Sequence, residues 1–124
     1  MPGQVRITNT SQPHSHPIRA RYCASFWCQL RGLMFRRAMP PGEGLLLVQR
    51  RDSRLDASIH MLFMWIDLAV VWINSNEQVV DVRLARRWRL AYLPARPARY
   101  VLEMPAEHLR DFKIGDRVSI ENLD

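Results

Sequence analysis

Two apolar runs enclose a polar turn in the segment LAVVWINSNEQVVDVRL, residues 68–84. The first run is rich in β-branched and aromatic residues, which favour strands, and residues 74–77 (NSNE) have the chemistry of a turn. Residues 79–84 then return apolar side chains at strand spacing. The segment therefore predicts a β-hairpin.

Short strands and turns continue on both sides of this hairpin. One helical turn is predicted after Ser25, which can cap it, and before Gly32, which can end it. A second is predicted to begin at Pro105. Further strands are predicted at residues 3–8, 45–48, 99–104 and 117–121, and the apolar run 59–73 is predicted to form two strands. This pattern predicts a mainly β fold, with α+β at the margin: a small barrel-like or strongly bent antiparallel sheet with one or two short helices.

Length and composition indicate one domain. The chain has 124 residues, of which 48% are hydrophobic, enough to bury one core without a metal or a disulfide. The apolar run 59–73 is shorter than the ~20 residues that a bilayer-spanning helix needs, so we expect no membrane insertion. The N-terminal residues lack the apolar stretch of a signal peptide, and the sequence predicts a cytoplasmic protein.

The cysteines and histidines give no metal motif. Cys23 and Cys28 are spaced neither as a redox C-x-x-C pair nor as half of a zinc site, so we expect two reduced, partly buried thiols. His14 and His16 lie among prolines, which is typical of an exposed turn. No metal and no cofactor are therefore predicted.

Positive charge is concentrated near residues 83–99, which contain six arginines and no acid in a chain of net charge +6. Cations interleaved with aromatic rings are typical of proteins that bind single-stranded nucleic acid or another anionic surface. The candidate residues are Arg83, Arg86, Arg87, Trp88, Arg89 and Tyr92. The same segment could instead be a solvated face, or the contact of a structural or protein-interaction module.

Five segments follow one another along the chain: an R-GLM-R box (Arg31, Gly32, Leu33, Met34 and Arg36), the strand 44–48, the segment 59–74 with an "IHxxFM" motif, the P-A-x-Y-V-L-E strand 97–103, and the segment 114–118 (IGDRV). In this order they resemble the domain of unknown function 192 family, whose closing motif I-x-x-GD-x-V is similar to residues 114–118. The resemblance makes residues 21–124 the family core and residues 1–20 an N-terminal strand and loop. It implies a compact β-rich fold, and it implies no reaction.

Two features depart from the family pattern. The family's acid after the central Met would fall near Ala69, whereas Asp67 precedes that position by two residues. The leader segment of many relatives is also not expected in this chain.

A polar group in an apolar strand marks the candidate ligand site. Glu103 needs a partner in such a strand, and Arg31 is the natural one. If that pair and His60 open onto one pocket with Met34, Phe63 and Trp65, the pocket suits a small ligand carrying an anionic group. We take this as the leading functional hypothesis, with the Arg and Trp-rich segment as its rival.

Catalysis has weaker support in the sequence. An enzyme needs a nucleophile or a paired acid and base. The available thiol-based set is Cys23 or Cys28 with His60 and Asp67 or Asp81, and no spacing requires these residues to meet. The sequence thus favours a binding domain over an enzyme.

Overall fold

A computed structural model describes residues 3–124, so the first two residues of the predicted N-terminal segment lie outside the described residues. The described residues form seven strands, one α-helix and one 3₁₀ helix. In chain order they are β1 (Gln4–Asn9), β2 (Ile18–Cys23), α1 (Phe26–Arg31), β3 (Glu43–Ser53), β4 (Leu68–Ile73), β5 (Val79–Ala85), β6 (Ala98–Pro105), the 3₁₀ helix (Ala106–Asp111) and β7 (Val118–Asn122). The prediction of a mainly β fold with two short helices is confirmed.

The seven strands form one sheet in the order β5-β4-β6-β3-β2-β1-β7. All neighbours are antiparallel except β2 and β3, so the prediction of an antiparallel sheet is wrong at that pair. A parallel pair requires a long crossover, and here the crossover contains α1. Over the described residues the sheet is not closed into a barrel, although Gln78 and Arg117 form an isolated bridge near its two edges.

The hairpin predicted from residues 68–84 is confirmed as β4 and β5. The pairing runs from Leu68 opposite Ala85 to Ile73 opposite Val79. The Asn74 side chain closes the turn by accepting hydrogen bonds from two backbone N–H groups beyond it.

The prediction of two strands in residues 59–73 is wrong for the first half, where only Ile59 pairs, in a bridge with Tyr92. No helix among residues 3–124 has both the length and the hydropathy to cross a bilayer.

Two apolar layers lie on opposite faces of the sheet, because successive residues of a strand point to opposite sides. In β4, Val71 and Ile73 belong to one layer, and Val70 and Trp72 belong to the other. All six residues of β4 are buried. The second layer is the one that faces the loops preceding β4 and following β5, and it carries the site described below.

The helix α1 begins and ends as predicted. The Ser25 hydroxyl accepts a hydrogen bond from the Cys28 N–H at 3.1 Å, and Gly32 ends the helix at a φ of 47°.

The expectation of reduced cysteines is wrong, because Cys23 at the end of β2 and Cys28 in α1 form a disulfide. The five-residue spacing gave no sign of this pairing. The fold leaves the two Cα atoms 5.7 Å apart, within the range that a disulfide spans.

Gly44 lies at a close approach between β3 and β6. A Cβ at this position would lie 2.9 Å from the Glu103 carbonyl oxygen and 3.2 Å from side-chain carbons of Ile18 and Leu102. We expect Gly44→Ala to lower the free energy of unfolding by roughly 1 to 3 kcal/mol, since the methyl group would force two strands apart. Urea denaturation followed by circular dichroism measures this.

Gly3→Ala is the matched control for that substitution. The three atoms nearest to its Cβ would all belong to the Asp124 side chain, the closest at 3.3 Å. We expect a change within about 0.5 kcal/mol there. Equal effects of the two alanine variants would contradict the close approach at Gly44.

Candidate functional site

A cavity of about 60 Å³ lies between α1, the loop that precedes β4, and strands β3, β4 and β6. Four of the five residues predicted for the ligand site line it together: Arg31, Met34, His60 and Glu103. The fifth, Phe63, lies outside this cavity and is 44% exposed. Trp65, the other aromatic residue expected there, is 45% exposed and also lies outside it.

The position of Arg31 depends on how α1 is attached to the sheet. Each residue of α1 is at least partly exposed, so burial contributes little to that attachment. The Gln29 side chain instead donates to the Val48 carbonyl at 2.8 Å and to the Cys23 carbonyl at 3.3 Å. Together with the disulfide, these hydrogen bonds hold the end of α1 over the cavity.

Glu103 supplies a buried carboxyl group to the cavity. Strand alternation places it on the same face of β6 as Val101, and the residue is 5% exposed. Burial raises the pKa of Glu103 from its ordinary value of 4.5 to about 7. At neutral pH the group therefore exists in comparable amounts as a carboxylic acid, which donates a hydrogen bond, and as a carboxylate.

The predicted ion pair between Arg31 and Glu103 is wrong. Among the described residues, no cationic nitrogen lies within 4.0 Å of the Glu103 carboxyl oxygens. Arg31 is exposed at the end of α1, where water solvates its guanidinium group, whereas Glu103 is buried beneath it. Taking both charges out of water would have cost more than their attraction returns unless their geometry were close to ideal.

His60 also lines this cavity, and one of its ring nitrogen atoms has no hydrogen-bond partner. Its Nε2 lies 3.1 Å from the Leu30 carbonyl oxygen, which can only accept, so we assign the proton to Nε2. Its Nδ1 is then a hydrogen-bond acceptor in the neutral ring. This atom is buried and has no hydrogen-bond partner. A buried polar atom without a partner is rare in folded proteins, and it is often found at a binding site.

The arginine-rich segment 83–99 does not form one open surface. Arg83 lies in β5, where it pairs with Asp81 at 2.9 Å and covers the Trp72 ring. Arg87 binds Asp67, to which it donates from its backbone N–H at 2.8 Å and from Nε at 3.2 Å. The backbone hydrogen bond from Arg87 is the main cause that lowers the pKa of Asp67. Both arginines are therefore engaged within the protein.

The other four candidates of that segment divide into two groups. The Tyr92 hydroxyl accepts from the Arg86 N–H at 2.9 Å, and its ring packs on the buried layer. Trp88 packs against other aromatic rings. The side chains of Arg86 and Arg89 are exposed. Binding of nucleic acid through all six residues stays a prediction.

An exposed cluster of aromatic residues is a feature that sequence analysis missed. It consists of Phe35, Phe63, Trp65 and Trp88, which we call the aromatic cluster. Neighbouring ring centroids lie 5.4 to 5.5 Å apart. Phe35 is 62% exposed, and its backbone has a left-handed φ of 66°. Apolar sequence patterns alone do not reveal such a conformation.

Comparisons with known proteins identify the same family as the sequence motifs. Residues 6–120 match the domain of unknown function 192 family, described as "Uncharacterized ACR". A UPF0127 protein of Pyrococcus furiosus is 37% identical over 114 residues, which are 90% of this chain and 95% of that protein. A UPF0127 protein of Thermococcus gammatolerans is 42% identical over 97 residues, which are 77% of this chain and only 61% of that protein.

Two crystal structures share the fold. A protein of unknown function from Novosphingobium aromaticivorans superposes with a TM-score of 0.80 at 25% identity, covering 94% of this chain and 83% of that one. A putative transcription regulator from Sinorhizobium meliloti gives a TM-score of 0.82 at 22% identity, covering 94% and 92% of the two chains, and shows the fold alone. The molecule is thus a small mixed-sheet protein with a cavity of mixed polar and apolar lining under a tethered helix. The chain belongs to the domain of unknown function 192 family, as the sequence motifs indicated.

Proposed function

We propose that the protein binds a small organic anion in the cavity lined by Arg31, His60 and Glu103. The observation that carries the proposal is that one cavity is lined both by a buried carboxyl group without a cation, Glu103, and by His60, whose buried Nδ1 has no hydrogen-bond partner. Buried polar groups are normally satisfied, and a ligand would satisfy both of these.

Each polar group has a separate role in this proposal. Protonated Glu103 donates its O–H to an oxygen of the anion, and the exposed guanidinium group of Arg31 attracts the negative charge from the rim. His60 Nδ1 accepts a hydrogen bond from a hydroxyl or amino group of the same ligand.

The size of the cavity limits the ligand. A volume of about 60 Å³ has room for about four to six water molecules, since one water needs about 10 to 15 Å³ of cavity volume. Sites for drug-sized ligands are several times larger. The proposed ligand class is therefore a short hydroxy or amino carboxylate, and not a nucleotide or a sugar phosphate.

Binding is proposed here in preference to catalysis. With Cys23 and Cys28 joined in a disulfide, neither supplies the thiolate that the thiol-based set needs. The disulfide also weighs against the cytoplasmic location, which stays a prediction, because disulfides are rare in reducing compartments.

Glycolate binding measured by chemical-shift titration tests the proposal. We expect the affinity to fall about tenfold between about pH 6 and pH 8, because the donating form of Glu103 is lost as the pH rises through its pKa of about 7. In the variant Glu103→Gln, whose amide donates at every pH, we expect affinity independent of pH. Acetate, which lacks the hydroxyl group for His60, should bind more weakly than glycolate.

Two arginine variants localise the binding. Arg31→Gln should weaken glycolate binding, whereas Arg36→Gln should leave it unchanged, because Arg36 lies outside the lining of this cavity. Absence of shifts at the cavity residues with millimolar glycolate, acetate or glycine would overturn the proposal.

A further inference from the structure

We propose that the aromatic cluster and the arginines around it form a docking surface for an anionic membrane interface. This would be contact at the surface of the bilayer, without a segment that crosses it. The proposal is independent of the ligand cavity, since Phe35, Phe63, Trp65 and Trp88 are absent from the cavity lining.

The cluster exposes a large amount of aromatic surface. The four side chains are between 44% and 62% exposed, and they come from three separate loops that meet beside α1. Backbone hydrogen bonds join these loops, from Phe35 N–H to the Phe63 carbonyl at 2.9 Å and from Trp88 N–H to the Met61 carbonyl at 2.8 Å.

Backbone strain accompanies this exposure. Phe35, Phe63 and Trp88 have φ values of 66°, 61° and 67°. Bulky residues rarely adopt this left-handed conformation because Cβ crowds the backbone. Three strained aromatic residues in one exposed cluster are difficult to explain by stability, since burial does not offset the strain. Strain of this kind is typical of residues that serve a function.

The positive charge around the aromatic cluster indicates an anionic partner. The segments that carry the four rings of the aromatic cluster, residues 32–39, 60–67 and 86–93, contain five arginines and a single acid, Asp67. The acid is already paired with Arg87. A surface this basic attracts an anionic partner, and it would repel a second copy of itself.

Ring geometry favours a lipid interface over nucleic acid. Base stacking needs open ring faces. Here the Trp65 face is covered by the Arg37 guanidinium carbon at 5.5 Å from the ring centroid, and Trp65 and Trp88 pack edge to face. Tryptophan and phenylalanine edges can still enter the interfacial layer of a bilayer, while arginines bind its anionic headgroups.

Co-sedimentation with vesicles tests the proposal. We expect the protein to bind vesicles of phosphatidylcholine and phosphatidylglycerol, to bind pure phosphatidylcholine far more weakly, and to dissociate as salt is raised. Replacing Arg86 and Arg89 by Gln should lower the affinity roughly fivefold for each charge removed. Phe35→Gly should also weaken binding and still fold, because glycine accepts a positive φ without strain.

Matched controls come from the turn before β7, which contacts the opposite end of β5. Lys113 and Arg117 are exposed there, and Ile114 is 65% exposed. The double variant Lys113→Gln and Arg117→Gln has the same net charge as the arginine double variant, and Ile114→Ser removes an exposed apolar side chain. Both controls should bind like the unchanged protein.

Three results would overturn the proposal. They are no binding to phosphatidylglycerol vesicles, equal loss of binding in the test and control variants, and preferential binding of a mixed-sequence single-stranded oligonucleotide through Arg86 and Arg89. The last result would assign this surface to nucleic acid.

Discussion

Replacing Glu103 by Gln is expected to stabilise the protein increasingly as pH rises, with a gain over the unchanged protein that grows by roughly 3 kcal/mol between about pH 4 and pH 8. In the folded protein, burial raises the pKa of Glu103 from 4.5 to about 7. The folded state thus binds this proton more tightly than the unfolded state. Stability from this group is complete below pH 4.5, decreases as pH rises, and is lost once pH passes the folded pKa of about 7. The amide of the Glu103→Gln variant is neutral throughout and avoids that loss.

Thermal and urea unfolding at several pH values measure this difference. Glu43→Gln, which changes an exposed carboxylate on the neighbouring strand β3, is the matched control. We expect its stability to follow that of the unchanged protein within about 0.5 kcal/mol. If the free energy of unfolding varied with pH in the same way for Glu103→Gln and the unchanged protein, Glu103 would not be a buried titrating group.

Trp72→Ala is expected to lower the free energy of unfolding by roughly 3 to 5 kcal/mol, a large part of the roughly 5 to 15 kcal/mol typical of a protein domain. The Trp72 side chain is fully buried in β4, between β5 and β6. Its Nε1 donates to the Ala57 carbonyl at 2.8 Å, and this bond attaches the loop before β4 to the sheet. Truncation would leave a cavity in the layer that supports the ligand site.

Two further tryptophan variants separate the contribution of the Trp72 hydrogen bond to stability from that of its buried apolar contacts. Trp72→Phe keeps most of the apolar contact and removes the hydrogen bond, so we expect a cost of about 1 to 3 kcal/mol. Trp27→Ala changes a ring that is 74% exposed, and we expect little effect on stability. Urea unfolding followed by circular dichroism compares the three variants. A loss in Trp72→Ala no larger than in Trp27→Ala would contradict the role of Trp72 in the core.

Local sequence chemistry predicted the elements of the fold well. The hairpin at residues 68–84 follows from β-branched residues around an NSNE turn, and α1 follows from the cap at Ser25 and the glycine at position 32. Both depend on residues close in sequence. The run 59–73 shows the limit, because apolar residues form a strand only where neighbours complete the hydrogen bonds, and residues 60–67 have no such strand beside them.

The candidate site was predicted in part. The family motifs contain Arg31, Met34, His60 and Glu103, and these four residues meet at one cavity. Phe63 was misplaced because apolar character in the sequence does not reveal that its side chain is 44% exposed and its φ left-handed. The Arg31–Glu103 pair was wrong because pairing depends on whether both groups can leave water together, which spacing in the sequence does not define.

By itself, the amino-acid sequence determined the family, the mainly β character and most strand positions, because these depend on local propensity and on alternation along the chain. Tertiary structure alone decided the parallel β2–β3 pair and the Cys23–Cys28 disulfide. It also decided the burial of Glu103 without a cation near it among the described residues, and the exposure of the aromatic cluster. Each of these depends on which distant segments lie side by side and on how much water reaches them. Burial and charge pairing are properties of that arrangement, not of any short stretch of residues.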